Sequence, residues 1–319
     1  MKNYLITGAA GFIGSTLADS LIKDGNTVIN IDNFEPYYDV SIKKRNISSH
    51  LKNPNYSFYE ADIRDLEKLN DIFSHHKIDC VIHIAAKAGV RPSIVDPKLY
   101  EEVNIRGTAN VLDCAQKYGI KNVVFASSSS VYGNQDRHKF SEDERVDKPI
   151  SPYATTKIAG EYLCYAFHRT YKMNFVCLRF FTVYGPRQRP DLAINKFASL
   201  IEADKPITLY GDGSTYRDYT FIDDIVSGIR KSIHYLETNN DVYEIINLGS
   251  ESPITLLEMV HTIEKAMNKR ANIVFAPMQQ GDVVGTYANI AKARKMLGYS
   301  PSTSFEEGIA KYINWRKNL

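Results

Sequence analysis

The sequence predicts an α/β protein with a doubly wound parallel sheet and a smaller C-terminal α/β lobe. Over the first 180 residues, short apolar runs alternate with segments in which apolar residues recur at helical spacing. A glycine-rich turn joins the first apolar run to the first helical segment. Such alternation implies right-handed βαβ crossovers, which produce a parallel sheet covered by helices on both faces.

The first strand is predicted at residues 4–6, and a helix begins directly after the glycine-rich turn. Glycines at this spacing give a tight turn, let the backbone approach a pyrophosphate and permit close packing of helix on strand. The N–H groups and the dipole at the start of the helix favour the same anion. The ligand-binding residues expected at this turn are Gly8, Gly11, Phe12, Ile13 and Gly14.

The second strand, predicted at residues 27–31, ends at Asp32. Asp32 follows Gly14 by 18 residues, close to the distance at which an acidic side chain binds a ribose 2′-hydroxyl. A carboxylate here would repel a 2′-phosphate. The two strands and their turn therefore predict binding of NAD rather than NADP.

Strands and helices continue to alternate up to residue 180. The predicted strands are 55–59, 79–84, 122–126 and 174–179, and the predicted helices are 66–75, 100–118 and 152–171. Beyond residue 185 the pattern becomes irregular, with helices at 223–235, 256–267 and 305–317 and a strand at 244–248. We expect an NAD-binding domain at 1–180 and a lobe for a second ligand at 181–319, with an interleaved boundary.

Composition argues against several classes of function. A formal net charge of +2 over 319 residues gives no electrostatic basis for binding nucleic acid or a membrane surface. No apolar run approaches membrane-spanning length, and we expect no signal peptide. The four cysteines lie singly in apolar segments, and neither they nor the eight histidines show metal-ligand spacing. We therefore expect a cytoplasmic protein without a metal site.

Tyr153 and Lys157 are four residues apart in a predicted helix and therefore share one face. A lysine ammonium beside a tyrosine lowers the pKa of the phenol, and the positive charge of nicotinamide would lower it further. Such a tyrosine can accept a proton from a sugar hydroxyl. The serine run 127–130 ends a core strand, so Ser128 and Ser129 are expected in the same cleft.

Together these motifs resemble an extended short-chain dehydrogenase/reductase of the nucleotide-sugar epimerase group. The resemblance rests on TGAAGFIG at the first turn, Asp32, the serine run before VYG, and YATTK, and it extends over nearly the whole chain. It implies a Rossmann-type domain that holds NAD and a C-terminal lobe that holds a UDP-sugar. It also implies that Tyr153 is the base, that Lys157 binds the nicotinamide ribose, and that Ser128 holds the sugar 4-hydroxyl.

The same resemblance assigns further residues to the ligands. For the cofactor it implies contacts from Asp62, Ile63, Ala85, Lys87 and Asn104. For the UDP moiety it implies diphosphate contacts from Asn195 and Arg217 and a ribose contact from Asp282. Gln279 stands where many hexose epimerases have a diphosphate-binding arginine, so Arg91 becomes a candidate for that contact.

Two segments favour epimerisation of a UDP-uronate. Sugar 4,6-dehydratases carry an Asp-Glu pair where this chain has Ser129 and Ser130, and UDP-glucuronate decarboxylases carry Glu at the second position. Residues 179–193 resemble the UDP-glucuronate 4-epimerases. Arg189 and Thr182 are assigned to the C6 carboxylate, which an arginine fork binds bidentately. The resemblance thus implies interconversion of UDP-glucuronate and UDP-galacturonate by NAD-mediated oxidation at C4, rotation of the 4-keto sugar and re-reduction.

The residues leave alternatives open. Arg189 can instead pair with Asp191 or contact a phosphate, since arginine serves both anions. Thr286 stands where some hexose epimerases have a bulky tyrosine, so size alone does not exclude UDP-N-acetylglucosamine. The nearest rival function is therefore a UDP-glucose or UDP-N-acetylglucosamine 4-epimerase, and a more distant one is a non-catalytic NAD-binding regulator.

The helices at 100–118 and 152–171 carry additional apolar and aromatic residues. Packing against the sheet accounts for some of them. By family resemblance, the outer faces of these helices form a four-helix interface, so we expect a homodimer.

Overall fold

The computed structural model describes residues 1–134, 139–278 and 284–318. The strands, numbered along the chain, are β1 (Asn3–Thr7), β2 (Thr27–Asp32), β3 (Tyr56–Glu60), β4 (Cys80–His83), β5 (Asn122–Ser128), β6 (Asn174–Phe180), β7 (Thr182–Tyr184), β8 (Ile207–Tyr210), β9 (Tyr216–Phe221), β10 (Tyr243–Leu248), β11 (Pro253–Thr255) and β12 (Ile273–Ala276). The helices are α1 (Phe12–Lys23), α2 (Val40–Ile47), α3 (Leu66–Ser74), α4 (Val90–Val95), α5 (Pro97–Glu101), α6 (Gly107–Lys117), α7 (Pro152–Tyr171), α8 (Ala193–Glu202), α9 (Ile222–Thr238), α10 (Leu256–Met267), α11 (Ala291–Leu297) and α12 (Phe305–Lys317). A π-helical turn (Glu102–Arg106) joins α5 to α6, and a 3₁₀ turn (Ser129–Tyr132) follows β5.

The centre of the described structure is a parallel sheet with the strand order β10-β6-β5-β4-β1-β2-β3. Along β1, Tyr4 and Ile6 pack into one apolar layer and Leu5 into the opposite one, as the two-residue period of a strand requires. All three are buried, because helices cover both faces. The predicted doubly wound sheet is confirmed. Its order reverses between β1 and β4, and ligands bind at such a switch point.

Residues after 180 contribute to the central sheet as well as to the second lobe. Strand β10 pairs with β6 from Tyr243 opposite Phe175 to Leu248 opposite Phe180. Helix α9 packs against α1, β5 and β6. Two smaller sheets, β11-β9-β7 and β12-β8, lie outside the central sheet. Within the described ranges, no helix has both the length and the apolar character needed to cross a bilayer.

One predicted helix differs from the observed structure. The segment predicted as a continuous helix at 100–118 is divided into α5, the π turn and α6. At the start of α6, a Cβ on Gly107 would lie 2.6 Å from Ile63 Cδ1. The glycine therefore permits close packing of α6 against the segment after β3.

Candidate active site

A cavity of about 550 Å³ lies at the carboxyl ends of the central strands. The predicted site residues on its wall are Gly8, Gly11, Phe12, Ile13, Gly14, Asp32, Asp62, Ile63, Ala85, Lys87, Ser128, Ser129, Tyr153, Lys157, Thr182, Arg189 and Arg217. Thr286 also lines it. Among the described residues, no group of three or more His, Cys, Asp or Glu side chains could hold a metal ion.

The predicted cofactor contact Asn104 is not on the wall and lies behind it. Its Oδ1 accepts a hydrogen bond from Lys87 N (2.8 Å), and its Nδ2 donates to Lys87 O (2.9 Å) and Thr156 Oγ1 (3.0 Å). Because these bonds engage both ends of the carboxamide, Asn104 fixes the backbone of Lys87 rather than facing the cavity.

Two predicted diphosphate contacts are also absent from the wall. Asn195 donates to Gln188 O (2.7 Å) and accepts from Arg316 (3.0 Å), so its carboxamide is engaged within the protein. The guanidinium carbon of Arg91 lies 5.6 Å from the ring centroid of Tyr210. Asp282 and Gln279 fall outside the described residues.

The glycine-rich turn packs closely against the backbone of other segments and against its own. Gly8 has φ +78°, and a Cβ there would lie 3.0 Å from the backbone of Ala85. A Cβ on Gly14 would lie 2.4 Å from Gly8 O. Only glycine fits these positions, so the turn forms a cradle open to the cavity.

The Asp32 carboxylate at the end of β2 supports this cradle. Oδ2 accepts a hydrogen bond from Ala10 N (3.1 Å) and Oδ1 accepts one from Phe34 N (2.9 Å). The Nζ of Lys43 lies 3.7 Å from Oδ1. Asp32 is therefore held in place beside the cavity, although it is only 6% exposed.

Helix α7 presents Tyr153 and Lys157 to the cavity. Ser151 caps the helix by accepting a hydrogen bond from Ala154 N (3.1 Å), and Pro152 occupies the first turn. Lys157 Nζ donates to Ala126 O (2.7 Å) and lies 5.9 Å from the ring centroid of Tyr153. The two side chains thus lie at the end of β5 and share one face of the helix, the latter as their spacing predicts.

Burial is the largest influence on the pKa of both Tyr153 and Lys157. It lowers the pKa of Lys157 to about 8, against the opposing charge of Glu161. It also raises the pKa of Tyr153, although a hydrogen bond with Ser128 and the charge of Arg189 lower it. The expected fall in the pKa of Tyr153 is therefore not produced by the protein alone, because desolvation of the phenolate outweighs these contributions.

Arg189 lines the cavity together with Thr182. Its guanidinium pairs with Asp191 and lies 5.0 Å from the ring centroid of Tyr37. Lys87 Nζ lies 5.2 Å from the same ring and 2.9 Å from Glu35 Oε1. Two cations therefore contact one aromatic ring at the cavity.

Sequence reasoning missed Glu35 and Tyr37 as wall residues, and it assigned Ser130 no contact. All three line the cavity. The Oγ of Ser130 is buried without a hydrogen-bond partner among the described residues, so it is available to a ligand. A polar residue at a strand end could have indicated Ser130, whereas Glu35 and Tyr37 lie in a loop without a recognisable pattern.

Known proteins resemble this chain along nearly its whole length. Residues 5–312 match the family model described as GDP-mannose 4,6 dehydratase. The UDP-glucuronate 4-epimerase of Thermodesulfobacterium geofontis is 42% identical over 99% of this chain and 97% of that protein. The structure of UDP-glucuronic acid 4-epimerase from Bacillus cereus, in complex with UDP-glucuronic acid and NAD, has a TM-score of 0.93, 36% identity and coverage of 99% and 100%. The UDP-glucose 4-epimerase of Thermotoga maritima, with UDP-glucose, has a TM-score of 0.89, 31% identity and coverage of 99% of both chains.

Proposed function

We propose a function on the premise that this chain belongs to the GDP-mannose 4,6-dehydratase family of extended short-chain dehydrogenases/reductases. The chain is an NAD-dependent nucleotide-sugar 4-epimerase that interconverts UDP-glucuronate and UDP-galacturonate. Relatives named UDP-glucuronate 4-epimerase cover almost the full chain, which supports this reaction. The observation that carries the substrate is the guanidinium of Arg189 on the same cavity wall as Tyr153 and Ser128.

The glycine cradle and Asp32 fit NAD. Gly8, Gly11 and Gly14 line the cavity, and the close backbone packing at Gly8 and Gly14 requires glycine, so the turn offers bare backbone to a pyrophosphate. The Asp32 carboxylate can accept hydrogen bonds from ribose hydroxyls. When bound, NAD would supply reversible hydride transfer at C4 of the sugar. Asp62, Ile63, Ala85 and Lys87 are proposed to complete this subsite, with Asn104 acting through Lys87.

Tyr153 is proposed as the group that removes the proton from the 4-hydroxyl and later returns it. Ser128 lowers the pKa of Tyr153 through its hydrogen bond, and it can hold the same sugar hydroxyl. Lys157 is proposed to stabilise the phenolate and bind the nicotinamide ribose. Its bond to Ala126 O keeps the ammonium at the end of β5.

Arg189 and Thr182 are proposed to hold the C6 carboxylate. A ketone at C4 beside this carboxylate would form a β-keto acid, which can lose CO₂. A carboxylate held out of alignment with the carbonyl would resist that loss. Substantial release of a UDP-pentose by the intact enzyme would contradict this role.

The UDP moiety is proposed to occupy the side of the cavity next to the second lobe, with residues 1–180 serving NAD and 181–319 serving the UDP-sugar. Arg217 and Thr286 line that side. Arg217 is proposed to contact the diphosphate and Asp282 the uridine ribose. Arg91 and Asn195, which do not line the cavity, remain proposed contacts of the diphosphate.

We further propose a homodimer in the cytoplasm. Tyr162, Tyr165 and Tyr171 of α7 are 64%, 48% and 48% exposed, so these aromatic side chains are accessible to a second copy of the chain. Contact of α6 and α7 with the same helices of a second copy would cover them.

A parallel assay tests the proposed reaction. Purified protein without added NAD would be incubated with UDP-glucuronate, UDP-glucose or UDP-N-acetylglucosamine, and products would be resolved by NMR. Dominant formation of UDP-galacturonate supports the proposal and the tight retention of NAD. Turnover of a neutral sugar with an inert uronate would support the rival epimerases, and no turnover of any UDP-sugar would support the regulator.

A further inference from the structure

Glu161 is buried behind the cavity wall, and the proposed mechanism does not use it. It follows Lys157 by four residues in α7, as Lys157 follows Tyr153. The three side chains therefore share one face of the helix. Glu161 is 2% exposed, and a carboxylate so deeply buried is costly unless charged and polar partners surround it.

Two neighbouring strands supply those partners. Oε1 of Glu161 accepts hydrogen bonds from Ser127 Oγ (2.6 Å) and Arg179 Nε (2.9 Å), and Oε2 accepts one from Arg179 Nη2 (2.8 Å). Ser127 in β5 lies opposite Arg179 in β6. Glu161 thus connects α7 to the ends of β5 and β6. On β5 the connection is made through Ser127, the residue directly before Ser128.

We propose that Glu161 is a positioning residue of the reaction, which fixes the end of β5 against α7 and stabilises the Lys157 ammonium with its charge. Loss of the tether would let Ser128 shift relative to Tyr153. This inference rests on the roles proposed above for Tyr153, Lys157 and Ser128.

The charges around Lys157 support the second part of this role. The charge of Glu161 is the largest influence that opposes the effect of burial on the pKa of Lys157. Titratable or charged groups on the elements packed nearby are His83 on β4, Tyr100 on α5, Tyr132 in the 3₁₀ turn, Cys177 and Arg179 on β6, and Tyr243 on β10. Burial keeps all of these except Arg179 neutral near pH 7, since it lowers the pKa of His83 to about 3 and raises the others.

Two matched variants separate charge from packing. Glu161→Gln keeps the shape and removes the negative charge, whereas Arg179→Lys keeps the positive charge and removes the planar fork. Each would be compared with wild type in the pH dependence of kcat/KM and in thermal unfolding. The pKa of Lys157 would be read directly by NMR of protein labelled with [¹³Cε]lysine, with the signal assigned by its absence in Lys157→Arg.

Glu161→Gln is expected to lower the pKa of Lys157 by about one unit or more and to move the alkaline limb of the kcat/KM profile down by the same amount. At a pH on that limb, kcat/KM would then fall roughly tenfold. Arg179→Lys is expected to lower the unfolding temperature while leaving the limb in place. An unchanged pKa of Lys157 in folded Glu161→Gln, or an equal shift in both variants, would overturn the proposal.

If Glu161→Gln does not fold, a third variant still tests the positioning role. Ser127→Ala removes only the tether to β5 and is expected to lower kcat roughly tenfold with little change in KM or in the alkaline limb, because the charge remains. Unchanged kcat would then overturn the positioning role. Inactive wild-type protein would refute the proposed function, whereas the NMR measurement would still test the coupling of Glu161 to Lys157.

Discussion

Arg189 and Asp191 form a bidentate ion pair at the cavity wall, with Nε 2.9 Å from Oδ1 and Nη2 2.6 Å from Oδ2. Asp191 itself does not line the cavity, so the pair orients the guanidinium without occupying ligand space. The hydrogen bonds of Arg189 within the described residues use Nε and Nη2, so Nη1 is available for the proposed contact with a ligand carboxylate. Pairing with Asp191 and binding of a uronate are therefore compatible uses of one arginine.

Replacing Arg189 with alanine is expected to raise KM for UDP-glucuronate by about 10- to 100-fold, because hydrogen bonds to charged groups contribute about 1.5–3 kcal/mol. Steady-state kinetics with UDP-glucuronate and UDP-glucose would measure this. Arg230→Ala is the matched control, since Arg230 pairs with Asp24 away from the cavity and its loss is expected to leave uronate binding intact. An equal loss for both sugars would argue against carboxylate recognition.

Tyr153→Phe is expected to lower kcat by about 10²- to 10⁴-fold, the usual contribution of a positioned proton-transfer group. Tyr100→Phe is a neighbouring control, because the Tyr100 ring packs edge-on against Tyr153 and its hydroxyl donates to Ala88 O. Single-turnover assays would compare the two variants. Comparable activity in Tyr153→Phe and wild type would exclude Tyr153 as the base.

The alkaline side of the pH profile follows from the pKa of Lys157. Lys157 carries its charge below its pKa of about 8, so activity is expected to fall above roughly that pH. A profile of kcat/KM from pH 6 to 10 would show this alkaline limb. In Lys157→Arg the alkaline limb should disappear, because arginine stays charged across this range.

Asp32→Asn is expected to weaken NAD binding about tenfold and to reduce discrimination against NADP, because the charge facing the ribose is removed. Fluorescence titration with NADH and NADPH, after removal of any retained nucleotide, would measure both affinities. Asp24→Asn provides a control at the end of α1, where Asp24 pairs with Arg230 away from the cavity. If both variants changed the affinities equally, the effect would come from a change in the structure around α1, and the predicted contact of Asp32 with the ribose would be contradicted.

Tyr162→Glu is expected to dissociate the proposed dimer, since a charge would be buried at the interface of α7. Sedimentation velocity would detect the monomer. Phe275→Glu is the matched control, because Phe275 on β12 is 56% exposed and lies outside the proposed interface. A monomeric wild-type protein, or an unchanged Tyr162→Glu dimer, would contradict this prediction.

Long periodic segments were predictable from sequence, and short ones were not. Helix α7 spans residues 152–171 as predicted, because a capping Ser151, Pro152 and a left-handed Lys172 mark its ends. Strands β7 and β11 have three residues each, too few to show a period. The π turn was missed because its residues continue the helical pattern of their neighbours.

Residues at strand ends were predictable at the site because parallel strands converge at one edge. Arg91 and Asn195 came instead from family resemblance; neither lines the cavity, and in this chain they contact Tyr210 and Gln188. Tyr37 was missed because its position depends on a loop that brings it between Lys87 and Arg189. Contacts among three residues that are far apart in the sequence produce no pattern in any one segment.

The pairing of β10 with β6 has a consequence for modularity. A chain ending at residue 180 would leave the buried backbone of β6 as an open edge, and such edges promote aggregation. Residues 1–180 would therefore not form a self-contained unit, because their sheet would end on an unpaired strand. A recombination that replaced the segments after residue 180 would have to retain Tyr243–Leu248, so such exchange is confined to the segments on either side of that strand.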